Sequence, residues 1–137
     1  MKQFTLFASL SLLLLLSACS DDSTVIKYDK SLQQLPCLRL VVFPPDKLIT
    51  NKLIQLYTFD EKCNYELQVS QKSAIVCNSN QNADKKALSN FPSGYIRMDV
   101  YKNHKPIYSY YKDLTCKVSQ DDIESAFKRL KSDLLEE

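Results

Sequence analysis

Residues 95–101 place Ile96, Met98 and Val100 at every second position, with Tyr95, Arg97, Asp99 and Tyr101 between them. A side-chain period of two is the mark of a strand with one buried face. Residues 63–69 repeat it, with Cys63, Tyr65, Leu67 and Val69 separated by Asn64, Glu66 and Gln68. Two such stretches commit the chain to a sheet with an apolar and a polar side. Residues 38–43 are a short apolar run closed by Pro44-Pro45 and read as a buried strand. Residues 53–59 read the same way, although Leu53, Ile54 and Leu56 also suit a helix. Residues 25–28 offer an optional short strand.

Asn103-His104 fits a two-residue hairpin turn, without the usual glycine at its second position. With that turn Val100 faces Ile107, Met98 faces Ser109 and Ile96 faces Tyr111. The opposite face then gathers Tyr95, Arg97, Asp99, Tyr101, Tyr108 and Tyr110. Residues 119–135 are predicted to be a helix. Ser119 is a good N-cap, Asp122 completes a capping box, and Val118 with Ile123 makes the hydrophobic staple. Ile123, Phe127, Leu130 and Leu134 recur at spacings of 4, 3 and 4, forming one apolar stripe that must cover something.

The N-terminus specifies an address. Lys2 is the only charge before Cys19, and an apolar run of about a dozen residues follows it, the layout of a secretory signal. A spanning helix needs roughly 20 apolar residues, so this run is too short for one. The run ends in Leu16-Ser17-Ala18-Cys19.

That tetrapeptide resembles the lipobox of bacterial lipoproteins. The resemblance implies diacylglycerol on the Cys19 thiol, cleavage before Cys19 and acylation of the freed amine, palmitate being a typical chain. A plain secretory signal cut after Ala18 and an uncleaved anchor are the alternatives. Stable anchoring takes two or more chains, which such a cysteine supplies. Ser20 after the cysteine implies sorting to the outer membrane, on its periplasmic side or at the cell surface. The expected organisation is a signal peptide over 1–18, a lipidated tether over 19–36 and a folded domain over 37–137. A flexible tether of that length has a mean reach of roughly 20–25 Å.

Cleavage leaves 119 of the 137 residues, one domain's worth, with 17 basic and 16 acidic side chains once Lys2 is gone. That balance gives no basic face for nucleic acid. The single glycine, Gly94, excludes a phosphate-cradling loop or a dinucleotide fingerprint. Cys37, Cys63, Cys77 and Cys116 remain, an even number in an oxidising compartment, which reads as two disulfides. With no C-x-x-C pair and one histidine, no metal site is expected. A hairpin turning at 70–72 sets Cys63 opposite Cys77 and Tyr65 opposite Ile75. It predicts Cys63–Cys77, and Cys37–Cys116 follows by elimination.

The body resembles small bacterial lipoproteins with a variant immunoglobulin-like fold, in architecture, anchor and size. The expected fold is mainly β: an immunoglobulin-like or other two-sheet β-sandwich of 6–7 short antiparallel strands, with the C-terminal amphipathic helix.

Little in the chain suggests catalysis. His104 is a turn residue between lysines, and the pairs Asp60-Glu61 and Asp121-Asp122 are explained by a strand end and a helix start. No cofactor is expected, and the chain is read as no enzyme, an envelope enzyme being the least favoured class. The remaining feature is the tyrosine-rich face. Tyr95, Arg97, Tyr101, Tyr108 and Tyr110 are the candidates for holding an envelope protein or glycan, since tyrosine is enriched at recognition surfaces. Otherwise the helix stripe packs on them, or they simply clothe a half-exposed sheet, or the helix covers one end and leaves some exposed. The functional expectation is a membrane-anchored cell-envelope lipoprotein with a non-catalytic interaction or structural role. The alternative is an inhibitor of a hydrolase such as lysozyme. Lysozyme-inhibitor lipoproteins are also small, exported and disulfide-bonded, with a Ser-Gly loop. Here only Ser93-Gly94 corresponds, without the accompanying Trp and Gly pattern.

Overall fold

The computed structural model describes residues 22–32, 34–73 and 93–135. Its elements are β1 (Thr24–Lys27), β2 (Arg39–Val42), α1 (Lys47–Leu56), β3 (Tyr65–Lys72), β4 (Gly94–Lys102), β5 (Lys105–Leu114) and α2 (Gln120–Leu134). The five strands form one sheet in the order β1-β5-β4-β3-β2. β2 runs parallel to β3, and the other pairs are antiparallel. The fold is mainly β with a C-terminal amphipathic helix, as expected. The described residues build one mixed sheet layered with two helices, however, where the sequence predicts two antiparallel sheets. Among them no helix is long and apolar enough to cross a membrane.

The difference begins at α1. Parallel neighbours need a crossover of a dozen or more residues, usually helical, and α1 provides it between β2 and β3. Asp46 caps it, its side chain accepting from the Ile49 amide at 3.1 Å. Ile49 and Leu53 are fully buried and Leu56 partly so, a 4 and 3 spacing that marks one helix face. Residues 53–59 are therefore not a strand. The helical alternative holds for their first half, and Tyr57 and Phe59 beyond it pack edge-on against each other and at a tilt against Phe127 of α2.

The parallel pairing also decides the disulfide. Arg39 lies beside Glu66 and Leu40 beside Leu67, so both strands start at the same end of the sheet. The cysteines two residues ahead of each strand are brought together, and Cys37 bonds Cys63 with Cα atoms 5.9 Å apart. The predicted pairs, Cys63–Cys77 and Cys37–Cys116, are thereby corrected. The first relied on a turn at 70–72. Instead β3 continues through Lys72 and pairs with β4, Lys72 opposite Tyr95. Cys77 lies outside the described residues, and Cys116 is exposed and not disulfide-bonded.

The β4–β5 hairpin turns where predicted. Asn103 and His104 have φ of 50° and 65°, the left-handed pair that a tight two-residue hairpin requires. Tyr101 faces Pro106, in the predicted register, but Val100 then faces Tyr108 and Met98 faces Tyr110. Ile107 is an extra residue, a bulge. Beyond it every β5 side chain is turned to the opposite face. Tyr108 and Tyr110 consequently lie in the core, both essentially unexposed.

The core lies between sheet and helices. Leu67 and Val69 of β3, Ile96, Met98 and Val100 of β4, and Tyr108 and Tyr110 of β5 meet Ile123, Ala126, Phe127, Leu130 and Leu134 of α2. The capping box forms as predicted, Ser119 and Asp122 satisfying each other's amides. Asp133 near the other end of α2 accepts from the Tyr108 hydroxyl at 2.9 Å and from Arg129 Nε at 3.0 Å. Its second oxygen meets Lys27 Nζ of β1 at 3.1 Å. Gly94 is required by close approach, because a Cβ there would stand 2.4 Å from the Lys72 carbonyl oxygen.

Candidate functional site

No helix covers the other face of the sheet among the described residues. The pleat that sends Leu67, Val69, Ile96, Met98 and Val100 inward sends their neighbours out. Register places Gln68 beside Asp99, Asp99 beside Ser109, Arg97 beside Tyr111, and Glu66 beside Tyr101. At the β2 edge Arg39 bonds Glu66. The middle of this face is polar and aromatic, with the aliphatic Ile26 of β1 and Val41 of β2 at its two edges.

Four of its charged groups, Arg39, Glu66, Arg97 and Asp99, are paired within the sheet. Arg97 Nε meets Asp99 Oδ2 at 2.7 Å. Gln68 Nε2 donates to Glu66 Oε1 at 2.6 Å. That hydrogen bond, aided by Arg39 and opposed by burial, holds the Glu66 carboxyl below its ordinary pKa. Tyr95 and Tyr111 stack with ring centroids 5.5 Å apart, and the Tyr111 hydroxyl donates to Asp113 at 2.8 Å. That bond and partial burial push the Tyr111 phenol up.

Two polar atoms on this face are left over. Asp99 Oδ1 and Arg39 Nε are buried and have no hydrogen-bond partner among the described residues. A buried unsatisfied group costs about 1–3 kcal/mol, more if charged, and both atoms are closed off from solvent, so they are a local cost and not contact points for a partner. A cleft of about 450 Å³ opens beside Arg39, at the end of the face near the disulfide and the β4–β5 turn. Arg39, Glu66, Gln68, Tyr101 and His104 line it.

The structure divides the predicted site. Tyr95, Arg97 and Tyr101 lie on the open face; Tyr108 and Tyr110 are core residues on the other side. The Ile107 bulge is the cause, and nothing in residues 105–111 announces it. Tyr111 takes a place on the face that the sequence reading gives to Tyr110. Glu66 and Gln68 were legible as the polar positions of the 63–69 alternation, whereas Arg39 joins them only through the parallel pairing of β2. Cys19 lies outside the described residues.

The arrangement can stack on a partner and exchange hydrogen bonds with it. Among the described residues no group of three His, Cys, Asp or Glu side chains is placed to hold a metal ion. Comparison with known proteins finds no matching family model, no matching curated protein and no matching solved structure.

Proposed function

We propose that the chain is a cell-envelope lipoprotein, held at the outer membrane by lipid on Cys19, whose non-catalytic role is to present the open sheet face to an envelope protein or glycan. The observation that carries this reading is the tetrapeptide Leu16-Ser17-Ala18-Cys19 directly after a short apolar run. The Cys37–Cys63 disulfide suits an exported chain. Tyr95, Arg97, Tyr101 and Tyr111 on the open face supply stacking and hydrogen-bonding groups of the kind found at recognition surfaces.

Acyl labelling in cells tests the anchor: Cys19→Ala should abolish it, and unchanged labelling would overturn the reading. Crosslinking in intact cells tests the face. The Tyr95→Ala, Tyr101→Ala double variant should remain folded and lose most of its crosslinked product. Undiminished crosslinking in a folded variant removes this face from consideration.

A further inference from the structure

The position of β1 sets how the domain stands on a membrane. The inference rests on the lipid-anchor reading above. Asp22 is the third residue after Cys19 and Thr24 the fifth. Fully extended chain spans at most about 3.6 Å per residue, so Thr24 lies no more than roughly 18 Å from the Cys19 Cα. β1 is part of the sheet, paired with β5 from Thr24 opposite Tyr111 to Lys27 opposite Tyr108. The leash is therefore much shorter than residues 19–36 suggest by count.

Register identifies which end of the sheet this leash holds. The row through Thr24 passes Tyr111, Arg97 and Ser70. Phe43 closes the same row at the opposite edge, its amide bonding the Val69 carbonyl at 3.0 Å. The β4–β5 turn at His104 is at the other end, roughly 20 Å away at about 3.4 Å per strand residue. Standing the domain on that turn would lift Thr24 to or beyond the limit of the leash. The sheet end carrying Thr24, Lys72, Gly94 and Leu114 is thus the end that the leash draws down.

That end carries the most exposed large apolar side chain among the described residues, Phe43, at 72 % exposure. Phe43 and the leash occupy opposite edges of a five-stranded sheet, about 19 Å apart at 4.8 Å per strand spacing. An aromatic side chain gains by entering the interfacial region of a bilayer, and two contacts at opposite edges fix an orientation that one leaves free. Charge adds no preference. Lys47, Lys72 and Lys117 are exposed at this end, but so are Asp22 and Asp121.

We propose that this end of the sheet rests on the bilayer surface, with Phe43 in the lipid interface as a second contact beside the acylated Cys19. The cleft lined by Tyr101 and His104 then points away from the membrane.

The chain contains no tryptophan, so each reporter is unique. Full-length protein carrying Phe43→Trp, Lys117→Trp or His104→Trp is isolated from membranes. Each is reconstituted into phosphatidylcholine and phosphatidylethanolamine vesicles, with and without brominated acyl chains. Mass analysis of Cys19 and vesicle flotation are read first. Several-fold stronger quenching for Phe43→Trp than for His104→Trp, with Lys117→Trp intermediate, is the expected result. Acylated, floating protein with equal or reversed quenching overturns the orientation and leaves the anchor standing. Unacylated protein that does not float overturns the anchor, and the orientation with it.

Discussion

Removing the Tyr108 hydroxyl measures how firmly the sheet is tied to α2. The hydroxyl is reached only from the core, since Tyr108 has no exposed surface, and it donates to Asp133 at 2.9 Å. Hydrogen bonds to charged groups contribute about 1.5–3 kcal/mol. Tyr108→Phe leaves Asp133 with Arg129 and Lys27, so no carboxylate oxygen is orphaned and the loss belongs at the low end, about 1.5 kcal/mol. Those two cations have side chains 46 % and 45 % exposed, so solvent screens them and they cannot replace the missing bond in full. Urea denaturation at neutral pH should show a lower midpoint with an unchanged slope. Tyr101→Phe on the open face is the control and should change little.

The pH dependence carries a sign at each limb. Burial pushes the Asp133 carboxyl up, but hydrogen bonds from Lys27, Arg129 and Tyr108 outweigh it and leave the pKa below the ordinary value. Its stabilisation is complete above about 3.9 and is lost as pH falls through the lowered folded value. The gap between Tyr108→Phe and the parent should therefore close in strong acid. Burial and the neighbouring Asp133 carboxylate push the Tyr108 phenol far up. Its contribution is present below about pH 10 and is lost as pH rises toward the raised folded value, a limb that Tyr108→Phe should lack. Equal midpoints for Tyr108→Phe and Tyr101→Phe, or identical alkaline limbs, would refute the burial of Tyr108 against α2.

Two further perturbations address the sheet itself. Replacing Cys37 and Cys63 by Ser opens a link of sequence separation 26, worth roughly 3.5 kcal/mol in the chain-entropy model; nonreducing peptide mapping should join these two cysteines, and a peptide joining Cys63 to Cys77 would contradict the parallel pairing. Gly94→Ala forces a methyl against the Lys72 carbonyl oxygen, and thermal unfolding should show a loss of about 1–3 kcal/mol; an unchanged melting temperature would mean that β3 and β4 separate freely at this end.

What the sequence discloses here is local. The α2 helix is readable in full because cap, staple and stripe all sit within residues 118–134 and agree with one another. The β3 and β4 alternations are equally local, and they hold. What fails depends on partners distant in sequence. A strand run and a short helix look alike over 53–59 until one knows that β2 and β3 are parallel and need a crossover. The same parallel pairing joins Cys37 to Cys63 and brings Arg39 to the open face. The bulge at Ile107 shifts the register by one residue, a small backbone event that decides which tyrosines are core and which are surface. Tyr108 and Tyr110 have the same composition on either side of the sheet, and only the pleat assigns them.

The disulfide has a consequence for what happens when the protein is damaged. Among the described residues β2 is an edge strand of four residues, bonded only to β3. Edge strands of that length come away easily, and a bare β3 edge would offer its unpaired amides and carbonyls to any passing chain. The Cys37–Cys63 link stands just ahead of both strands and keeps β2 beside its partner even when the hydrogen bonds open. Reduction should therefore show itself in colloidal behaviour as well as in the lost stability. Reduced protein at high concentration would associate through the exposed β3 edge at temperatures where the oxidised form stays monodisperse.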